Sequence, residues 1–203
     1  MNNKKRSAIM ILVFILLIGG AYVLYTRLGE SLTPGQLTVQ GDQNKNESAD
    51  TNNVDDAENA APEKVLAPDF TVYDGAGNEA HLSDYIGKPI VLNFWASWCG
   101  PCQMEMPDFH EKYLEIGEKV NFLMVNMTTG RETLESASAF IERNEYSFPV
   151  FYDIQSDAAM TYSAYSLPTT YFIDADGYAV AQAIGAIDAA TLQRGIDMIL
   201  PQK

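Results

Sequence analysis

Ile90-Val91-Leu92-Asn93-Phe94-Trp95-Ala96-Ser97-Trp98-Cys99-Gly100-Pro101-Cys102 joins a run of strand-forming residues to the only two cysteines of the chain. The apolar run Ile90 to Trp95 predicts a buried strand, and the stretch opened by the cysteines predicts a helix. Two thiols separated by two residues on the first turn of a helix can form and break a small-ring disulfide. Unpaired N–H groups at the helix start stabilise the thiolate of the first cysteine. Three other readings of the pair are weaker. A zinc site needs further Cys or His ligands, but the chain has only His81 and His110, and His110 lies eight residues past Cys102. A structural disulfide closing so small a loop constrains little of the unfolded chain. Two inert buried thiols fit poorly with Gly100-Pro101 between them. Redox exchange is the reading left, and no metal is expected.

The chain has 203 residues and a net charge of −14, a length that suits one globular domain with something attached. Residues 1–7 hold the basic flank Lys4-Lys5-Arg6. Residues 8–25, Ala8 to Tyr25, form an apolar run of 18 residues, about the minimum for a membrane-crossing helix. A cleaved signal peptide has a shorter apolar core and a small-x-small cleavage site, whereas this run exits through Tyr22-Val23-Leu24-Tyr25-Thr26-Arg27. A retained single-pass anchor is therefore expected. Lys4, Lys5 and Arg6 stay in the cytoplasm and the remainder is extracytoplasmic. Thiols there tend to be oxidised unless electrons are supplied. Residues 26–62 are polar and acidic, too poor in large apolar groups to fold, and read as a flexible linker. As a coil it would span roughly 30–35 Å. The domain at 63–203 carries 8 basic and 20 acidic residues, a balance that argues against nucleic acid and against docking on anionic lipid.

Strands and helices alternate along this domain. Phe70 to Tyr73 and Ala80 to Leu82 predict a hairpin, and Val120 to Val125 a second buried strand. Thr129-Gly130-Arg131-Glu132 has capping-box spacing and predicts a helix from there to about Arg143. Phe148 to Tyr152 reads as a strand and Ser156 to Ala164 as a short helix. Thr169 to Ile173 and Tyr178 to Ala181 flank Asp174-Ala175-Asp176-Gly177, which reads as a turn rather than a calcium loop. Ala189 to Leu200 predicts a closing helix. The class is α/β, a sheet with helices on both faces.

Several separated blocks resemble one family. Ala67-Pro68-Asp69-Phe70, Asn93 through Cys102, Glu105 with Pro107, and Leu167-Pro168-Thr169-Thr170-Tyr171-Phe172-Ile173-Asp174 resemble membrane-anchored thioredoxin-like proteins of the TlpA/ResA type. The resemblance covers about Ala67 to Leu200. It implies a thioredoxin-like fold: a central mixed sheet flanked by helices, an N-terminal β-hairpin extension and a central insertion.

Within that resemblance Cys99 is the expected nucleophile, attacking a partner's disulfide, and Cys102 the resolving thiol that releases the reduced partner. No cofactor beyond the redox-active Cys99–Cys102 disulfide is implied. Pro168 matches the family's cis-proline, which would leave the backbone of Leu167 free to pair with an extended substrate segment. With Trp98, Gly100 and Pro101 these residues make the expected substrate-binding surface. Trp95 and Trp98 read as packing and site-shaping groups, Met104 and Met106 as bordering the site or core, and His81 and His110 as ordinary surface or half-buried histidines. Pro107 should kink the active-site helix. Where thioredoxin has a buried Asp on the strand before the cysteines, this chain has Asn93, which cannot take a proton. Glu105, one turn beyond Cys102, is the expected replacement.

The leading expectation is a tethered extracytoplasmic reductase of oxidised protein thiols. The resemblance implies apocytochrome c as one client class and a CcdA-type membrane electron donor. A methionine sulfoxide reductase or another envelope protein is an alternative client. Peroxidase activity is a competing enzyme class, because Ala67-Pro68-Asp69-Phe70 is shared with peroxiredoxin-like proteins. A redox-responsive binding module or chaperone is the non-catalytic alternative. The direction of electron flow depends on a reduction potential that spacing does not reveal.

Overall fold

The computed structural model describes residues 36–39 and 65–201. The expected anchor at 8–25, and the expected linker apart from residues 36–39, lie outside the described residues. Among the described residues no helix is long and apolar enough to cross a membrane.

The strand at the centre is β5, Ile90–Trp95, every residue of which is buried. It lies between β6, Asn121–Asn126, in parallel pairing, and β8, Thr169–Ile173, in antiparallel pairing. A strand covered on both faces needs apolar residues at almost every position, which is why Ile90 to Trp95 reads as a run and not as an alternation. Around it lie β1 (Leu37–Val39), β2 (Val65–Leu66), β3 (Thr71–Tyr73), β4 (Glu79–His81), β7 (Val150–Tyr152) and β9 (Tyr178–Ile184). The sheet order is β1-β9-β8-β5-β6-β7-β3-β4, with β2 also on β9. The expected hairpin β3–β4 joins through Tyr73 opposite Tyr152.

Four α-helices flank the sheet: α1 (Gly100–Ile116), α2 (Leu134–Arg143), α3 (Asp157–Thr161) and α4 (Ala189–Ile199). Val91, Trp95, Phe122 and Met124 point to the face that packs against Met106 and Phe109 of α1, Phe140 of α2, and Leu192 and Ile196 of α4. Ile90, Leu92, Phe94, Leu123 and Val125 point to the other face, covered by Phe70, Leu82, Ala158 of α3 and Tyr162. Strand alternation thus sends successive residues of β5 into two cores. The α/β class and the mixed sheet flanked by helices are as expected.

Three local expectations are corrected. The helix read from Thr129 begins at Leu134, because Thr133 is the N-cap: its Oγ1 accepts the Ser136 N–H at 3.0 Å while Ser136 Oγ accepts the Thr133 N–H at 3.0 Å. That reciprocal pair satisfies two helix-end donors, and Glu132 is occupied elsewhere. The helix read over Ser156 to Ala164 is the five residues of α3. Within the stretch read as linker, Leu37–Val39 pairs antiparallel with β9, Leu37 opposite Ala183 and Val39 opposite Ala181. Leu37 packs against the core while the edge of β9 supplies ladder bonds, so this short piece has local apolar character that the composition of the whole stretch hides. The Asp174 turn is as read: its Oδ1 accepts the N–H groups of Asp176 at 3.1 Å and Tyr178 at 2.9 Å. Helix α1 continues past Pro107 to Ile116.

Candidate active site

β5 ends at Trp95 and releases the chain into a short loop fixed on two sides. Glu132 Oε2 accepts both the Ser97 N–H and the Ser97 hydroxyl, each at 2.9 Å. Gln103 of α1 donates its side-chain amide to the Ser97 carbonyl at 2.6 Å. The Cys99 N–H returns to the Ala96 carbonyl at 3.1 Å. Cys99 is then the N-cap of α1, and its Sγ accepts the Cys102 N–H at 3.2 Å. That is the place a Ser or Asp usually takes, so the sulfur sits where the helix offers unpaired donors. Gly100 and Pro101 form the turn between the cysteines, and Pro101 loses nothing there because first-turn N–H groups have no intrahelical partner.

The two cysteines are joined as a disulfide, with Cα atoms 5.2 Å apart. Cys99 retains 4% exposure and Cys102 none. Reduction would leave one sulfur at the helix mouth and one sealed beneath it. The first sits where a thiolate is stabilised, and the second needs a nearby group to take its proton.

Glu105 is buried one turn along α1, at 2% exposure. Its Oε1 accepts from the Asn93 amide at 2.8 Å and its Oε2 from the Ile187 N–H at 3.0 Å. Burial pushes this carboxyl up from its ordinary 4.5 to about 7; the bonds from Ile187 and Asn93 pull the other way, and Asp108 adds to the rise. Asn93 also donates to Thr170 Oγ1 at 3.0 Å, while its Oδ1 is buried without a partner. The residue that cannot titrate therefore holds the one that can. A carboxyl near neutrality exchanges protons with a thiol efficiently, because donor and acceptor are then matched.

A groove of about 470 Å³ opens over the cysteines. One wall is Trp98, Cys99, Gly100 and Pro101; the others are Met127, Thr129 and Arg131 after β6, and Ala164, Tyr165 and Leu167 before β8. The Leu167–Pro168 peptide is cis. The Pro168 carbonyl accepts the Gly185 N–H at 2.8 Å and Thr169 Oγ1 donates to the Ser166 carbonyl at 2.7 Å. The main-chain groups of Leu167 have no partner among the described residues. An extended segment laid in the groove could pair with them.

Of the residues expected at the site, Trp98, Cys99, Gly100, Pro101 and Leu167 line the groove; Cys102 is tied to it through the disulfide, Pro168 follows Leu167 behind it, and Glu105 is buried one turn along α1. The two tryptophans separate: Trp95 is fully buried with its ring 5.7 Å from Phe140, and Trp98 is 45% exposed in the groove. Met106 is core and Met104 is exposed. His81 lies beside Thr71 and Glu79, and His110 beside Ser147, so neither reaches the cysteines. Sequence reasoning missed Glu132, Arg131, Met127 and Tyr165. Glu132, Arg131 and Met127 meet partners some thirty residues back, at Ser97, Trp98 and Trp95, and the capping-box spacing at Thr129 points Glu132 to a different role.

The model of the AhpC/TSA family matches residues 64–182. Among curated proteins, the thiol-disulfide oxidoreductase ResA of Geobacillus kaustophilus (strain HTA426) is 37% identical over 136 residues, 66% of this chain and 76% of that protein. The thioredoxin-like protein YneN of Bacillus subtilis (strain 168) is 32% identical over 132 residues, 65% of this chain and 77% of that protein. Among solved structures, the exposed lipoprotein thioredoxin Etrx1 of Streptococcus pneumoniae strain TIGR4 superposes with a TM-score of 0.57 at 30% identity, covering 64% of this chain and 98% of that one.

Proposed function

The chain belongs to the AhpC/TSA family, in its thioredoxin-like branch, and from that premise we propose that it is a membrane-tethered, extracytoplasmic reductase of protein disulfides. It is a thiol–disulfide oxidoreductase that works with its own cysteines. The observation that carries the reading is the placement of Cys99 as the cap of α1 and the edge of the groove, with Cys102 sealed behind it.

The reaction runs in two exchanges. The Cys99 thiolate attacks one sulfur of a client disulfide; a Cys99–client bond forms, the client's own S–S bond breaks, and the second client sulfur leaves as thiolate. Cys102 then passes its proton to Glu105 and attacks Cys99 Sγ. The mixed disulfide breaks, the first client sulfur departs, and the Cys99–Cys102 disulfide closes. Two electrons have moved from the dithiol to the client. Oxidised protein thiols are the client class, and apocytochrome c is the member we propose first. A CcdA-type membrane carrier would return the electrons. The apolar run at 8–25 and its basic flank support the tether and its direction.

Replacing Cys102 by Ala tests the scheme directly. In cells the variant should accumulate a mixed disulfide through Cys99 with its client, while a variant lacking both cysteines should lose function. Retained function without either cysteine would leave only a binding role. Identification of the trapped client decides between a cytochrome precursor, a sulfoxide reductase and another envelope protein.

A further inference from the structure

We propose that Arg131 is a specificity-determining residue that selects client segments bearing a carboxylate beside the cysteine under attack. The inference rests on the reductase reading above.

Among the residues lining the groove, Arg131 alone is charged. Its guanidinium lies 3.7 Å from the centre of the Trp98 ring, next to Cys99 in sequence and in the same wall. Stacking uses the face of the guanidinium and leaves its edge N–H groups in their fixed fork, the geometry that grips a carboxylate with two bonds.

Among the described lysines and arginines only Lys112 lies within ion-pair distance of a carboxylate, that of Glu115. No carboxylate pairs with Arg131 among the described residues. The adjacent acid, Glu132, is turned away: Oε2 is taken by Ser97 and Oε1 by the Ser136 hydroxyl at 2.9 Å. The same bonds fix where Arg131 stands. A turn closed by the Glu132 N–H on the Thr129 carbonyl at 3.1 Å, with Gly130 at φ +65°, presents Arg131 to Trp98. Position +65° is one that glycine adopts without cost. The loop therefore holds a cation without an ion-pair partner over Trp98, in the groove that Cys99 also lines. Long-range charge on the domain is negative, so it gives acidic clients no help; the preference belongs to this one contact.

The test uses full-length reduced protein in neutral detergent and three extended disulfide peptides that differ only in the residue flanking the cysteine: Asp, Asn or Lys. Rate constants for reduction should run Asp over Asn over Lys, with Asp about fivefold ahead of Lys at low salt, the size of one exposed ion pair gained against one repelled. High salt should shrink the ratio. Arg131→Glu should reverse the order, and Arg131→Lys should keep part of the preference because charge remains without the fork. Equal rates for the three peptides, or the same order in wild type and Arg131→Glu, would overturn the assignment to Arg131 and leave the reductase intact. No reduction of any peptide would strike at the reductase reading itself and take this inference with it.

Discussion

Glu105 concentrates the chemistry of the site in one titration. Its folded value of about 7 stands above its ordinary 4.5, so between those limits the folded state holds a proton that the unfolded chain releases. Stability is therefore lost as pH rises from about 4.5 through 7, with a ceiling of about 3 kcal/mol. Glu105→Gln removes that titration. The glutamine keeps an acceptor for the Ile187 N–H and offers a donor to Asn93 Oδ1, now buried without a partner. Urea unfolding of the disulfide-closed form, in which neither cysteine titrates, should show the variant gaining on wild type between pH 5 and pH 8; a difference flat in pH would place the titration elsewhere. The same variant should slow the resolving attack by Cys102. Glu132 is the contrasting case, an acid with both oxygens used for structure. Glu132→Ala strips acceptors from Ser97 and Ser136 and should cost about 1–3 kcal/mol in thermal or urea unfolding, with Glu132→Gln costing less. Glu105 was legible from its helical spacing to Cys102. Glu132 was not, because three residues after Thr129 it imitates a capping box, and its true partner is Ser97, 35 residues away.

At the scale of elements, most of the sheet and the existence of all four helices, though not the bounds of α2 and α3, are legible in the sequence, since burial on both faces of β5 and the turn chemistry at Asp174 leave plain marks. What could not be read are the choices settled by distant partners. Ser136 fixes Thr133 as the N-cap of α2, and β9 recruits Leu37–Val39 from a stretch whose average composition resembles a tether. Packing of α4 on β8 is another such choice. Gly195, in the middle of α4, sits directly over the buried ring of Phe172, and a Cβ there would overlap the ring. Glycine is a poor helix former, so its presence is explained by that approach and not by local preference. Gly195→Ala should therefore destabilise, against the usual benefit of alanine in a helix, by about 1–3 kcal/mol. Thermal unfolding should fall by roughly 3–10 °C. An unchanged or raised midpoint would mean that Phe172 or α4 can shift to make room.

For the whole molecule, the chemistry of the groove and the ends of the chain make one argument. Under the proposed function, a reductase with clients outside the cytoplasm needs a supply of electrons, and an apolar span at residues 8–25 with Lys4, Lys5 and Arg6 before it would put that supply across a membrane. The folded domain, with 20 acidic against 8 basic residues from 63 to 203, has no reason to adhere to anionic lipid, so retention at the membrane should depend on the N-terminal segment alone. Two measurements separate the parts of this claim. Full-length protein should sediment with membranes and resist extraction by high salt, which strips proteins held by charge but not one held by an apolar span. In intact cells stripped of outer barriers, a membrane-impermeant maleimide should label Cys99 after mild reduction. Release by salt would remove the anchor, and labelling only after lysis would reverse the orientation and, with it, the need for a transmembrane electron donor.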